Sequence, residues 1–392
     1  MPVDVGKLKA RVIAEVDAHR DELIELSLRI HRNPETGFKE RKASRWLTEY
    51  LEGQGFRVER RFCRLPTAFR ATAGEARPRV AFLGEYDALP RIGHACGHNI
   101  IGVSAAGAAV ATKEVLAATG GSIAVIGTPA EEMYGGKVIM ASRGAFRDLD
   151  AAMLTHPGSR SAVLADALAC AELEVEYFGK EAHAAARPEA GINALDALIT
   201  AYNAINALRQ HIRSSARIHG IITDGGSASN IVPGHSAASF LVREEDEEHL
   251  EELKGRVIAC LEAGAQATGA RLEYRWGEAQ YAAMHTNRPL AEAYRRNLIA
   301  LGRRLRERRP RRATGSTDMG NVSAAVPAIH PSVAIAPLEV GAHSPAFAER
   351  AASEEGHRGL LDAAKAMAMT AVDVLTDADL RERMQRAFQR RR

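Results

Sequence analysis

Continuous apolar strands separated by helices point to an α/β protein with a mostly parallel sheet and helices on both faces. Three runs carry this reading: VAFLGEY at Val80–Tyr86, SIAVIGT at Ser122–Thr128, and the short Ala151–Thr155. A change of pattern near residue 168 adds a second part. Leu168–Phe178 alternates apolar and polar residues, as in a sheet wetted on one face. The elements that follow read β-α-β-β-α-β, the ferredoxin-like order. The expectation is a discontinuous α/β domain over 1–167 and 281–392, with an inserted α+β domain over 168–280.

The elements follow from local pattern. Residues 7–31 and 39–53 have helical periodicity, and Phe56–Arg60 and Thr67–Thr72 are short β-rich runs. Asn99 is a natural cap for a helix over Ile100–Ala117, whose small residues suit close packing on a sheet. In the insert, Gly191–Ile212 and Glu245–Thr268 are helices, and Arg217–Thr223, Ser236–Arg243 and Arg271–Trp276 are strands. The α/β pattern then resumes with a helix from Pro289, a strand at Val333–Pro337 and a helix near Ser353–Leu375. No period of 20–50 residues repeats, which excludes a solenoid or propeller reading.

Composition narrows the function. The 392 residues are 46% hydrophobic and 26% charged, which is globular. A net charge of +3 and 5% aromatics give little for nucleic acid to bind. No apolar run reaches the ~18 residues of a membrane span. The N-terminal stretch is a charged amphipathic helix without the apolar core of a signal peptide. Cys63, Cys96, Cys170 and Cys260 are widely spaced, so a disulfide framework is not expected and a reducing cytoplasm is. Two basic runs, seven arginines within 303–312 and six within 381–392, read as solvated surface and tail.

The chemistry lies at the strand ends. Asp87 follows the first buried strand, Glu131-Glu132 the second and His156 the third, and His343 comes past the late strand. In open α/β sheets the ligand crevice lies outside the carboxyl ends of the strands, so these groups converge there. Between the first two strands sits His94-Ala95-Cys96-Gly97-His98-Asn99. Gly97 permits the tight turn that lets a thiolate and an imidazole face one centre. The helix N-terminus that follows favours the thiolate. Thiolate, imidazole and carboxylate together suit Zn²⁺, Mn²⁺, Co²⁺ or Ni²⁺ better than Ca²⁺ or Mg²⁺. Adjacent glutamates point in different directions, so one can ligate while its neighbour handles a proton.

The blocks YDALPRIGHACGHN, GTPAEE with GGK, THPG, FGKEAHAAARPEAGINALDA, GGSASNIVPG and GSTDMGNVS occur in order over roughly residues 30–375. Together they resemble the aminoacylase/carboxypeptidase-type metallopeptidases, in particular the amidohydrolase branch with aminobenzoyl-glutamate hydrolase subunits and β-alanyl-dipeptide dipeptidases. The resemblance implies a di-metal exopeptidase-like fold with two divalent ions held by Cys96, His98, Glu132, His156 and His343. It implies Glu131 as general base and Asp87 as the carboxylate that orients a ligand. The inserted domain resembles a lid that also mediates homodimerisation. Within it His183 matches a histidine that stabilises the oxyanion, and Asn230 and Arg243 match residues that grip the substrate near its carboxylate. On residue chemistry alone, His183 among alanines also suits a packed ring, Asn230 a turn and Arg243 a salt bridge.

The chain departs from the wider superfamily's His-x-Asp, carrying Glu85-Tyr86-Asp87, and Cys96 would supply the missing ligand. Asn99 stands where the branch often has Asp, and Ser316-Thr317-Asp318 replaces Ser-Glu-Asp. Asp318 suits contact with metal-bound water or a substrate amine, and His94 a supporting position. The expected activity is metal-dependent hydrolysis of the amide in a dipeptide or an N-acyl or N-aroyl amino acid, by metal-activated water and a Glu base. Deamination of an aromatic amine on the same centre, and a non-catalytic metal-binding relic, are the alternatives.

Overall fold

The computed structural model describes residues 4–306 and 315–390. Among these the strands are β1 (Arg57–Arg60), β2 (Phe69–Ala73), β3 (Arg79–Gly84), β4 (Ser122–Gly127), β5 (Ala151–Met153), β6 (His156–Gly158), β7 (Ala169–Phe178), β8 (Arg217–Asp224), β9 (His235–Glu244), β10 (Arg271–Trp276), β11 (Ala328–Ile329) and β12 (Ser332–Ala334). The chain divides into two compact units. The first is Met1–Asp166, Met284–Arg312 and Asn321–Arg392, and the second is Ala167–Ala283 with Ala313–Gly320.

The first unit is built on a six-stranded sheet ordered β1-β2-β4-β3-β5-β11. Its β4-β3-β5-β11 half is parallel, and β1 and β2 extend it antiparallel. Every residue of β4 is buried, as its unbroken apolar run requires. The helix His98–Lys113 packs on β3 and against the long helix Glu354–Thr376, and this face is the core of the unit. Small residues set that spacing: a Cβ on Gly102 would lie 2.9 Å from the Glu85 carbonyl oxygen.

The second unit is a four-stranded antiparallel sheet ordered β10-β7-β9-β8, crossed by helices Ala194–Leu208 and Glu247–Thr268. This is the ferredoxin-like arrangement expected from the element order. Its alternating strands put Leu173, Val175, Tyr177, Ala238, Phe240 and Val242 into a separate apolar core.

Several local expectations need correction. The helix over 7–31 is two, Val5–Ala18 and Arg20–His31, broken at His19. Asn99 is not a cap. The helix starts at His98 behind Gly97, and Asn99 turns inward to donate to Ser27 Oγ at 2.9 Å and the Ala351 carbonyl at 3.2 Å. The strand Ala151–Thr155 stops at Met153, and His156 opens a separate short strand paired parallel with β12. The helix Gly191–Ile212 is α-helical only over Ala194–Leu208. Most of the basic run at 303–312, and the last two residues of the C-terminal run, lie outside the described residues.

Candidate metal centre

The loops that leave the strand ends of the first unit bring scattered donors together. Cys96 Sγ lies 3.3 Å from His156 Nε2. His343 Nε2 lies 3.4 Å from Glu132 Oε2. His98 Nε2 lies 3.5 Å from Glu85 Oε2, 3.8 Å from Glu132 Oε1 and 3.9 Å from Glu131 Oε2. The triads Cys96-His98-His156 and Cys96-Glu132-His343 each place their donor atoms within 4.8 Å of one another, as does His98-Glu131-Glu132. The first two triads share Cys96, so the sulfur stands between two candidate positions.

The orientation of each imidazole is set from behind. His98 Nδ1 lies 3.0 Å from Asp87 Oδ1 and donates to it. His156 Nδ1 lies 2.6 Å from the Pro157 carbonyl, which can only accept. Both rings therefore turn Nε2 toward the cluster, the arrangement in which a carboxylate or carbonyl behind a ligating histidine fixes its tautomer. The other Asp87 oxygen accepts the Glu132 amide at 3.0 Å. The loop that bears His343 is tied to the one that bears Cys96 by the His343 amide, which donates to the Ala95 carbonyl at 2.8 Å.

Burial and charge act strongly here. Burial pushes the Cys96 thiol well above its ordinary range, outweighing the His98 ring beside it. Burial also works against a charged His98, but Asp87 and Cys96 beside it hold the imidazolium and raise its pKa. Burial lowers His156. For Glu132, burial is outweighed by the His343 and His98 rings, which keep the carboxyl below its usual value. The Glu132 hydrogen bond in turn raises His343.

These residues fit divalent cations. Buried polar atoms nearly always find a partner, yet His98 Nε2 and Glu132 Oε1 sit inside the cluster without one. Tetrahedral bonds of about 2.0–2.3 Å place donors roughly 3.5 Å apart, close to the 3.3 and 3.4 Å seen here. The sulfur, nitrogen and oxygen donors match Zn²⁺ and its first-row neighbours.

Sequence reasoning missed two buried groups beside the cluster. Lys137 Nζ lies 2.5 Å from Glu85 Oε1, both essentially inaccessible. Burial would raise Glu85, but Lys137 and then His98 hold it down to about 2. A lysine inside an otherwise apolar helix after Gly135-Gly136 was the available signal. His330 stacks at a tilt on His156, with ring centroids 5.6 Å apart, and burial pushes it down to about 3. His94 is buried against His31, 6.0 Å between centroids, and burial lowers it to about 3.

The remaining expected site residues belong to the second unit, as does Asp318. His183 is exposed, not packed, and its Nδ1 accepts the Ala185 and Ala186 amides at 3.3 and 3.1 Å. That leaves Nε2 as the protonated nitrogen, directed away from its own turn. Asn230 is its neighbour, since the Ala184 amide donates to the Asn230 carbonyl at 3.0 Å. Among the described residues Arg243 forms no plain salt bridge: Nη1 donates to Ser316 Oγ at 3.0 Å, and its buried Nε has no partner there.

Comparison with known proteins agrees with this geometry. Residues 169–268 match the peptidase dimerisation domain of the M20 family. The chain is 37% identical to the Xaa-Arg dipeptidase of Mus musculus, over 97% of this chain and 92% of that one. It is 33% identical to a subunit of the p-aminobenzoyl-glutamate hydrolase of Escherichia coli, over 67% of this chain and 59% of that one. In structure it is similar to a dinuclear metal-binding M20 peptidase of Bacillus subtilis, with a TM-score of 0.72, 20% identity, and 92% and 99% of the two chains covered. A donor cluster of this composition, on a fold shared with these proteins and a sequence alike along nearly its whole length, makes the chain a hydrolase that belongs to the M20 family of metallopeptidases and amidohydrolases.

Proposed function

We propose that the protein hydrolyses the amide bond of a dipeptide or an N-acyl or N-aroyl amino acid, with Glu131 as general base. The observation that carries this reading is the pair Glu131-Glu132. Glu132 turns both oxygens toward His98 and His343, while Glu131, beside it, reaches the same His98 ring. One carboxylate is thus committed to the donor cluster and its neighbour stands at the cluster's edge.

Divalent cations held by Cys96, His98, Glu132, His156 and His343 would supply Lewis acidity and lower the pKa of a water molecule. The chain's own groups do the rest. Glu131 takes the proton from the attacking water and returns it to the leaving amine. Asp87 keeps His98 turned toward the cluster and anchors the Glu132 backbone. In this reading His183 Nε2–H donates to the developing oxyanion. Arg243 grips the substrate carboxylate bidentately and Asn230 supports that contact.

The named relatives favour amide cleavage over deamination, and a complete donor set speaks against a relic site. The mammalian relative makes dipeptides ending in arginine the first substrates to try. We place the protein in the cytoplasm on the free thiols Cys63, Cys96, Cys170 and Cys260. Among the described residues no helix is long and apolar enough to cross a membrane. We also read it as a homodimer joined through the second unit.

The test is reconstitution with Mn²⁺, Zn²⁺ or Co²⁺, followed by mass spectrometry on panels of dipeptides and N-acyl amino acids. Two organic fragments are expected, and ammonia release instead would overturn amide cleavage. Glu131→Gln should keep its metal and lose about 10²–10⁴-fold in kcat. Undiminished turnover in that variant would remove Glu131 as base.

A further inference from the structure

The backbone that carries Glu131 is gripped from both sides by buried carboxylates. On one side the Glu132 amide donates to Asp87 Oδ2 at 3.0 Å. On the other the Ala130 amide donates to Glu40 Oε1 at 2.8 Å. Ala130 is a non-glycine residue in the left-handed region, at φ 62° and ψ 40°. Such a conformation persists only where surrounding structure enforces it.

Glu40 is well placed to enforce it. Its side chain is fully buried, and its second oxygen accepts the Thr67 hydroxyl at 2.8 Å. The Thr67 carbonyl in turn accepts the Tyr86 hydroxyl at 2.7 Å. Glu40 is therefore braced against the strand end that bears Asp87. The residues before it complete the contact. The Ala88 amide donates to the Glu35 carbonyl at 2.8 Å. A Cβ on Gly37 would come within 2.9 Å of the Ala130 Cβ. Phe38 stacks on Tyr134, with ring centroids 5.5 Å apart. One short segment thus touches the backbone beside Asp87 and both ends of the turn Ala130–Tyr134.

We propose that Glu40 is a positioning residue for the general base: by holding the Ala130 amide it fixes the left-handed turn from which Glu131 projects, and so sets the geometry of proton transfer without touching substrate. The inference rests on Glu131 being the base. An apolar side chain at residue 40 would avoid the cost of burying an acid, but would leave the Ala130 amide without an acceptor. Burial pushes the Glu40 carboxyl up to about 7, and either protonation state keeps an oxygen for that amide.

The test compares Glu40→Leu, Glu40→Gln, Thr67→Val and Glu131→Gln, each metal-loaded, on an active dipeptide or N-acyl amino acid. Leu375→Ala serves as a destabilised control, because Leu375 packs on Gly121 at the opposite end of β4. Metal content, thermal midpoint, KM and kcat are measured for each. Glu40→Leu is expected to bind wild-type amounts of metal, to change KM little, and to lose about 10–100-fold in kcat, the cost of an ångström-scale misplacement. Glu40→Gln keeps an acceptor for Ala130 and a partner for Thr67, and is expected to restore most of the rate.

Wild-type kcat in folded, metal-loaded Glu40→Leu overturns the proposal, and so does an equal kcat loss in Leu375→Ala. If Glu40→Leu does not fold, Thr67→Val decides, since it removes only the hydroxyl that orients the carboxyl. A several-fold kcat loss there supports the proposal, and wild-type kcat overturns it. Turnover in metal-loaded Glu131→Gln would remove the base assignment itself. A dead Glu131→Gln beside a wild-type Glu40→Leu removes only the role of Glu40.

Discussion

Buried acids with different partners behave oppositely in this protein. Glu85 has Lys137 against it and is held down to about 2. Glu40 has only neutral donors, faces Asp87, and is pushed up to about 7 by burial. The second case makes stability depend on pH. A carboxyl raised from 4.5 to about 7 holds its proton in the folded chain where the unfolded chain has released it. Its contribution is full below the unfolded value and is lost as pH rises through about 7, an effect on the order of 3 kcal/mol. Glu40→Gln should therefore flatten the fall in thermal midpoint between about pH 5 and about pH 8. A variant whose melts track wild type across that window would rule this out. The sequence offered little sign of these residues, because a carboxylate's partners lie far along the chain. Glu40 bonds Thr67 and Ala130, and Glu85 bonds Lys137.

The loops behind the strands depend on left-handed residues at Gly97, Ala130 and His343. Gly97 shows what that requires. Its φ is +79°, and a Cβ there would come within 2.5 Å of the Pro157 ring. The turn that bears Cys96 and His98 can press against the loop that bears His156 only because the side chain is missing. Gly97→Ala is expected to cost about 1–3 kcal/mol through strain and overpacking. It should also weaken metal binding at least about tenfold by spreading the donors. Calorimetric titration showing unchanged affinity would contradict this. Legibility at this scale is uneven. The strands β3 and β4 were readable because burial on both faces demands continuous apolar residues. The capping rule misread Asn99, because the bonds that claim its side chain come from Ser27 and Ala351. Likewise the end of β5 and the start of β6 depend on pairing with β11 and β12, more than a hundred residues later.

At the scale of the molecule, the sheet of the second unit ends in a strand with no further partner among the described residues. Strand β8 is at the end of the order β10-β7-β9-β8, and Ile221 and Ile222 on it are 66% and 44% exposed. Ile199 on the neighbouring helix is 43% exposed. Proteins usually blunt such edges with charge, so an apolar one invites pairing with a second copy. In the homodimer proposed above, Ile221→Asp with Ile222→Lys should give a monomer in light scattering after size exclusion, with the fold retained. A dimer that survives both charges would place the interface elsewhere.

The amino-acid string by itself determined the α/β class, the ferredoxin-like insert and which donor types stand at the strand ends, because hydrophobic period and the alternation of strand and helix are local properties. Only the tertiary structure decided that Cys96 lies between two triads, that Asp87 and Pro157 turn the imidazoles inward, and that Glu40 holds the turn before Glu131. Some of those facts join residues far apart in the chain, as the Glu40 carboxylate and the Ala130 amide are, and others set the turn of a ring on its near neighbour, as with His156 and Pro157; packing of the folded chain fixes both.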